Sequence, residues 1–159
     1  MFELKSFQKK KITKLHFLKI SIWYLINNII IYSFIPSSKL RIFFLKIFGA
    51  SIGDNVVIHP YTNFKYPWKL EIGTNSWIGA RAWIDNISEV KVGDNCCISQ
   101  DVYFCTGNHN YKKKEFDLMS EPIVIGDNCW IGAKSILCPG VNMQPNTIVK
   151  INTVVKKNY

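Results

Sequence analysis

The first fifty residues hold a single glycine, Gly49, and no internal repeat. None of the five cysteines (Cys96, Cys97, Cys105, Cys129, Cys138) has the two-residue gap of a zinc or redox motif. Their number is odd, and no run of small residues of the kind cleaved in secretion follows the N-terminal apolar stretch. They read as reduced thiols of a cytoplasmic protein, with Cys96 and Cys129 serving as small buried hydrophobes. Acids are scarce: 11 against 20 Lys and Arg, a formal net charge of +9. That balance calls for an acidic or phosphate-bearing partner. Charged residues make up 19% and hydrophobic ones 48%, which excludes a disordered chain. A length of 159 residues fits one domain.

Six lysines (Lys5, Lys9, Lys10, Lys11, Lys14, Lys19) crowd the first nineteen positions against one acid, Glu3. Residues 20–35 carry no charge, but the run is shorter than the roughly 20 residues of a spanning helix. Asn27 and Asn28 interrupt it and Pro36 stops it. Residues 1–50 therefore read as a helical segment that caps the rest of the protein, with an alternative role at a membrane surface through residues 1–35. A second short helix is expected over 39–48, ended by Gly49.

From position 52 a six-residue period takes over. Ile125, Ile131, Leu137, Met143, Val149 and Val155 are all apolar, as are Ile52, Ile58, Phe64, Ile72, Ile78, Ile84, Val92, Ile98 and Phe104. Four positions after these stand Val56, Thr62, Ser76, Ala82, Cys96, Val102, Cys129, Ser135, Val141, Thr147 and Thr153, each small or β-branched. Two positional rules held together over about a hundred residues point to a mainly β chain, a parallel β-helix of hexapeptide repeats. Three short strands make one triangular coil, with the apolar and the small residue both pointing inward. Glycine and Asp-Asn are expected at tight corners that need positive φ. Each buried aliphatic side chain contributes about 1.5–3 kcal/mol. The step between coil starts is 20 residues from Ile52 to Ile72 and from Ile72 to Val92, then lengthens sharply before Ile125. An excursion over 105–124 is expected to leave the stack, in a β-helix domain covering 51–159. Loops inserted in rigid repeats tend to carry function.

The repeats, the excursion and their flanks resemble the hexapeptide-repeat acyltransferases. The resemblance rests on FGA at 48–50, YPW at 66–68, WIDN at 83–86, GDNCCISQ at 93–100, CTGNHNY at 105–111 and WIGAKSILCPGV at 130–141. It is nearest to the branch that acetylates bacterial exopolysaccharides, as in colanic acid biosynthesis, and extends more distantly to maltose and galactoside O-acetyltransferases. The resemblance implies a left-handed coil, a homotrimer with active sites between subunits, and acetyl-CoA as donor; no metal is expected, because the three histidines, His16, His59 and His109, are scattered along the chain. His109 matches the family's catalytic histidine, and imidazole suits proton transfer near neutral pH. Asp85, Asn86 and Asn108 are placed at the acceptor, though Asp85-Asn86 also fits a plain turn. Gly132 or Ala133 is expected to supply a backbone N–H to the oxyanion. Ile151, Lys156 and Lys157 fall where the donor's pantetheine arm and phosphates run. Here the chain departs from the family: Ile151 replaces a small alanine, and Trp77-Ile78-Gly79 stands where the maltose-type enzymes carry an asparagine.

The function expected is O-acetylation of a sugar hydroxyl in bacterial surface polysaccharide synthesis, on a free or lipid-linked acceptor at the cytoplasmic face of the membrane, with no nucleic acid involved. The alternatives are N-acetylation of a nucleotide amino sugar and an inactive trimeric β-helix module. A zinc-dependent β-helix enzyme needs three imidazoles at one point. His16 lies in the basic segment and His59 on a coil distant from His109.

Overall fold

A computed structural model of the chain describes residues 2–7 and 13–157. Lys9, Lys10 and Lys11 of the N-terminal cluster lie outside the described residues. Fifteen short parallel strands wind into a prism of three five-stranded faces. Face 1 stacks Ser51–Ile52, Leu70–Ile72, Val90–Val92, Ile123–Ile125 and Asn142–Met143. Face 2 stacks Val57–Ile58, Trp77–Ile78, Cys97–Ile98, Trp130–Ile131 and Ile148–Val149. Face 3 stacks Asn63–Phe64, Trp83–Asp85, Tyr103–Cys105, Ile136–Leu137 and Val154–Val155.

The six-residue period sets this register. Ile58 lies over Ile78, Ile98, Ile131 and Val149 in turn, and Phe64 over Ile84, Phe104, Leu137 and Val155. All of these are buried. The small inward positions are buried too, except Thr147 and Thr153, which are half-buried on the last coil. Where the small residue is a serine it knits the corner. Ser76 Oγ donates to the Gly93 carbonyl and accepts from Cys96 N–H.

The corners differ from expectation in one respect. Positive φ falls on Asn55, Asn75, Asn95, Asn128 and Asn146 between faces 1 and 2, and on Tyr61, Arg81, Asp101, Lys134 and Asn152 between faces 2 and 3. The glycines that follow the inward aliphatics do not adopt it; among glycines only Gly49 and Gly140 do. The repeat glycines are there for closeness. A Cβ on Gly132 would stand 2.5 Å from Ile151 N and 2.7 Å from the Lys150 carbonyl carbon, inside the next coil's backbone.

The N-terminal segment closes the first coil. Helix α1 (Lys14–Ile26) is capped by the Thr13 hydroxyl and runs on into a π-helical turn over Asn27–Ile31. Helix α2 (Ser38–Ile47) is capped by Ser37, one residue ahead of the expected helix at each end. Strands at the end of a stack leave backbone groups unpaired, and these helices satisfy them. Trp23 Nε1 donates to the Phe64 carbonyl at 2.8 Å, Asn27 Oδ1 accepts from Phe64 N–H, and Ser38 Oγ accepts from Ile58 N–H. Asn27, an interruption in the apolar run, is thus the residue that pairs with the stack edge. Arg41 is buried between the helices and donates to the carbonyls of Ile31, Ser33, Ile35 and Ser37.

Candidate active site

The excursion leaves at the corner between faces 3 and 1. It is narrower than expected: Cys105 still belongs to face 3 and Ile123 already to face 1, so it spans 106–122. It is a β-hairpin, with Gly107–His109 antiparallel to Leu118–Ser120. Its root is tied by Thr106, which sequence reasoning passed over. Thr106 is buried; its hydroxyl donates to the Asp85 carbonyl at 2.8 Å and accepts from Ser88 N–H.

His109 is half-buried on the hairpin. Its ring stacks on Phe116, with centroids 4.3 Å apart and planes 5° from parallel. Its Nδ1 lies 2.8 Å from the Phe116 carbonyl oxygen. A carbonyl oxygen only accepts, so Nδ1 carries the proton and the lone pair is on Nε2. Phe116 is a bulky residue at φ 51°, a conformation that costs backbone energy and collects at functional sites. The left-handed turn lets one residue supply both the stacking ring and the acceptor. No signal in the sequence pointed to it.

The extreme N-terminus reaches the same hairpin, which the sequence did not foretell. Phe2 stacks on Phe116 at 4.5 Å, Phe7 meets the His109 ring edge-on at 5.6 Å, and Glu3 N–H donates to the Lys114 carbonyl at 2.9 Å. The imidazole therefore has aromatic neighbours on two sides.

The residues placed at the acceptor separate into different roles. Asn108 is exposed next to His109, and its Oδ1 accepts from the His109 backbone N–H. Asn86 is wholly buried. Its amide accepts from Tyr66 N–H and donates to the carbonyls of Tyr66 and Lys69. Every polar atom of that side chain is committed to bracing the 66–69 loop. Asp85 lies at the root of the hairpin, with little of its side chain exposed. Lys65 Nζ is 2.8 Å from Oδ1 but off the axis for a hydrogen bond, so that buried oxygen has a counter-ion and no donor. Tyr103 O–H donates to Oδ2 at 3.3 Å. Burial pushes the Tyr103 phenol far above its ordinary value, and the Cys105 thiol and Asp85 carboxylate push the same way, so it stays protonated.

Three of the residues expected on the donor side, Gly132, Ala133 and Ile151, gather at the corner between faces 2 and 3. A groove of about 450 Å³ is lined by Trp130, Gly132, Ala133, Ile148, Lys150 and Ile151, among others. Gly132 N–H donates to the Val149 carbonyl at 2.8 Å as part of the coil stacking, so it is not free for an oxyanion. Ala133 N–H has no acceptor among the described residues. Of the two, Ala133 is the one whose N–H the coil stacking leaves unbonded among the described residues. Lys156 and Lys157 do not join the groove. They follow face 3, and Lys157 pairs with Glu121 at 2.6 Å beside the foot of the hairpin. His16 packs on Trp68, and His59 sits on the first coil, whereas the hairpin springs from the third.

His109 and Ala133 thus stand at different corners of one prism. A face of about six residues at ~3.3 Å each separates corners by roughly 15–20 Å. Acyl transfer needs reacting atoms about 3–3.5 Å apart.

The hexapeptide repeat of succinyl-transferase matches residues 69–103 and 122–157. A protein named for colanic acid biosynthesis, the acetyltransferase WcaF of Escherichia coli (strain K12), is 35% identical over 143 residues, covering 89% of this chain and 78% of that protein. Galactoside O-acetyltransferase of the same organism is 31% identical over 117 residues, 72% of this chain and 58% of that one. In structure, a galactoside acetyltransferase in complex with coenzyme A superposes with a TM-score of 0.79 at 22% identity, over 94% of this chain and 78% of that chain. With its coils, hairpin and repeat register all accounted for, this chain belongs to the hexapeptide-repeat acyltransferase family.

Proposed function

We propose that the protein is an acetyl-CoA-dependent O-acetyltransferase acting on a sugar hydroxyl of a bacterial surface polysaccharide precursor. The observation that carries it is the imidazole of His109, fixed by Phe116 in the tautomer that presents an Nε2 lone pair. The names of the relatives support acetyl as the group and a sugar as the acceptor.

His109 Nε2 takes the proton of the sugar hydroxyl as the oxygen attacks the thioester carbonyl. Ala133 N–H of a neighbouring subunit holds the resulting oxyanion. When the intermediate collapses, the C–S bond breaks and the imidazolium returns its proton to the departing thiolate. The groove fits the donor: Trp130, Ile148 and Ile151 offer an apolar wall, and Lys150 stands at the rim.

The outer surface supports a trimer. The outward residues of face 1 are Ser51, Glu71, Lys91, Val124 and Asn142, largely polar. Faces 2 and 3 instead expose Trp77, Trp130, Ile148, Trp83, Ile136 and Val154. Apolar patches of this kind mark interfaces. Packing face 2 of one copy against face 3 of the next would be a head-to-tail contact of the kind that forms rings, and we infer a ring of three in which the hairpin of one copy reaches the groove of a neighbour. We place the reaction at the cytoplasmic membrane face, on the surface described in the next subsection.

His109→Ala removes the base and is expected to lower kcat by about 10²–10⁴-fold with the trimer intact. The assay is acetyl transfer to the lipid-linked oligosaccharide fraction, read by mass spectrometry, with light scattering for the assembly. Turnover like that of the unmodified protein would sink the mechanism.

A further inference from the structure

We propose that the N-terminal helices form a docking surface for an anionic lipid bilayer, on which the protein lies without crossing it. From position 4 to position 53 the sequence contains no Asp or Glu, against eight lysines and Arg41. Arg41 is spent on backbone carbonyls inside the fold, whereas Lys14, Lys19, Lys39 and Lys46 are exposed.

Helix α1 and the π-helical turn that continues it have two faces. Trp23, Asn27 and Ile31, at i, i+4 and i+8, turn toward the first coil and are buried. Leu15, Leu18, Ile22, Leu25 and Ile29 are spaced by three and four residues and are all exposed, Leu15 at 78% and Leu25 at 62%. At 100° per residue they occupy an arc of about 80° on the side opposite the buried set. The capped coil lies on one side, so this apolar stripe looks away from the end of the prism. Helix α2 adds Phe43 and Ile47, with Lys39 and Lys46 on the same face at helical spacing. An apolar groove of about 600 Å³ runs beside the stripe, lined by Leu15, Leu18, Ile22 and Phe48 with Lys19 at its edge.

An apolar stripe flanked by lysines, with no acid on either helix, is complementary to anionic headgroups over acyl chains. Thirteen residues at 1.5 Å make α1 about 20 Å long, short of the ~30 Å hydrocarbon core, so it lies in the interface plane. Among the described residues no helix is long and apolar enough to span. The surface also has a geometric gain if the proposed ring forms. Copies packed by their side faces point the same end of the prism in one direction, so three stripes meet one plane and their affinities multiply.

The test is co-sedimentation of the full chain with vesicles of phosphatidylcholine, with and without about one third phosphatidylglycerol. Binding is expected on the anionic vesicles alone, weakening as salt rises. Lys39→Gln with Lys46→Gln is expected to weaken it roughly 25-fold, about fivefold for each lysine. Leu18→Asp with Leu25→Asp is expected to abolish it. These positions are exposed, so thermal stability is a fair control, and acetyl transfer to a water-soluble acceptor should stay unchanged. That readout separates this surface from the active-site assignment. Failure to bind anionic vesicles overturns the proposal, as does retention of binding by the Leu18/Leu25 variant. A fall in assembly mass for that variant also overturns it, because the stripe is then covered by a second copy.

Discussion

Ala133→Pro isolates one hydrogen-bond donor with little else disturbed. Ala133 precedes Lys134, whose φ is 60°, at the corner between faces 2 and 3. The first coil makes the same corner with Pro60 before Tyr61 at φ 61°, and Pro145 precedes Asn146 at φ 64° on the last coil. Proline is favoured at the second position of a turn whose third residue has positive φ. The Gly132 N–H bond to Val149 and the Asn152 N–H bond to the Ala133 carbonyl are both kept. What disappears is the Ala133 N–H, which has no acceptor among the described residues. The fold is expected to be unharmed or slightly stabilised, by about 0.4–1 kcal/mol, through the stiffer unfolded chain. Catalysis is expected to fall by about 10²–10³-fold in kcat, or about 2.7–4 kcal/mol, the usual cost of one oxyanion donor. The assay is release of the CoA thiol with the lipid-linked oligosaccharide fraction as acceptor, beside acetyl-CoA binding by calorimetry. Loss of a transition-state contact lowers kcat and leaves donor binding alone. A kcat close to that of the unmodified protein refutes the assignment of Ala133. A rise in the acetyl-CoA dissociation constant with kcat retained shows that the ring merely obstructs the groove.

The two-corner geometry has its own test. Co-expression of His109→Ala with Ala133→Pro in equal amounts is expected to restore activity at about one quarter of the sites, those pairing an intact His109 with a neighbour's intact Ala133; a site built within one chain restores none. Asn27→Leu removes the acceptor of Phe64 N–H and the donor to Asn63 Oδ1 at the stack edge. The cost is about 2–3 kcal/mol, a fall of roughly 5–10 °C in melting temperature, measured by calorimetry at fixed protein concentration; an unchanged midpoint shows that the edge is satisfied without it.

The repeat was legible because its constraint is local and repeated. An inward position in a triangular coil must be apolar, and the one near the corner must be small, whatever the rest of the chain does. Ile52 to Val155 could therefore be placed in register from spacing alone, and the break in spacing exposed the excursion that carries His109. The motif around His109 marked it as the candidate base, but the tautomer depends on a carbonyl seven residues away, and only the left-handed turn at Phe116 puts that carbonyl on Nδ1. Asn86 and Gly132 show the converse. Their residue types suit a binding site, yet the stacking of coils claims the Asn86 amide for the 66–69 loop and the Gly132 N–H for Val149. Which of two adjacent N–H groups is left over is a question of register between coils, and no single coil contains it. The same holds for Asn27 and for Phe2 and Phe7. Their partners at Phe64, Phe116 and His109 are far along the chain, and they meet only because the helices close the prism's end and the hairpin leaves its side. The sequence by itself determined the coil, its core and the excursion, since each follows from burial at a fixed period. The tertiary structure decided which polar groups the fold consumes and which it leaves for chemistry, because that depends on contacts between coils, segments and corners distant in the chain.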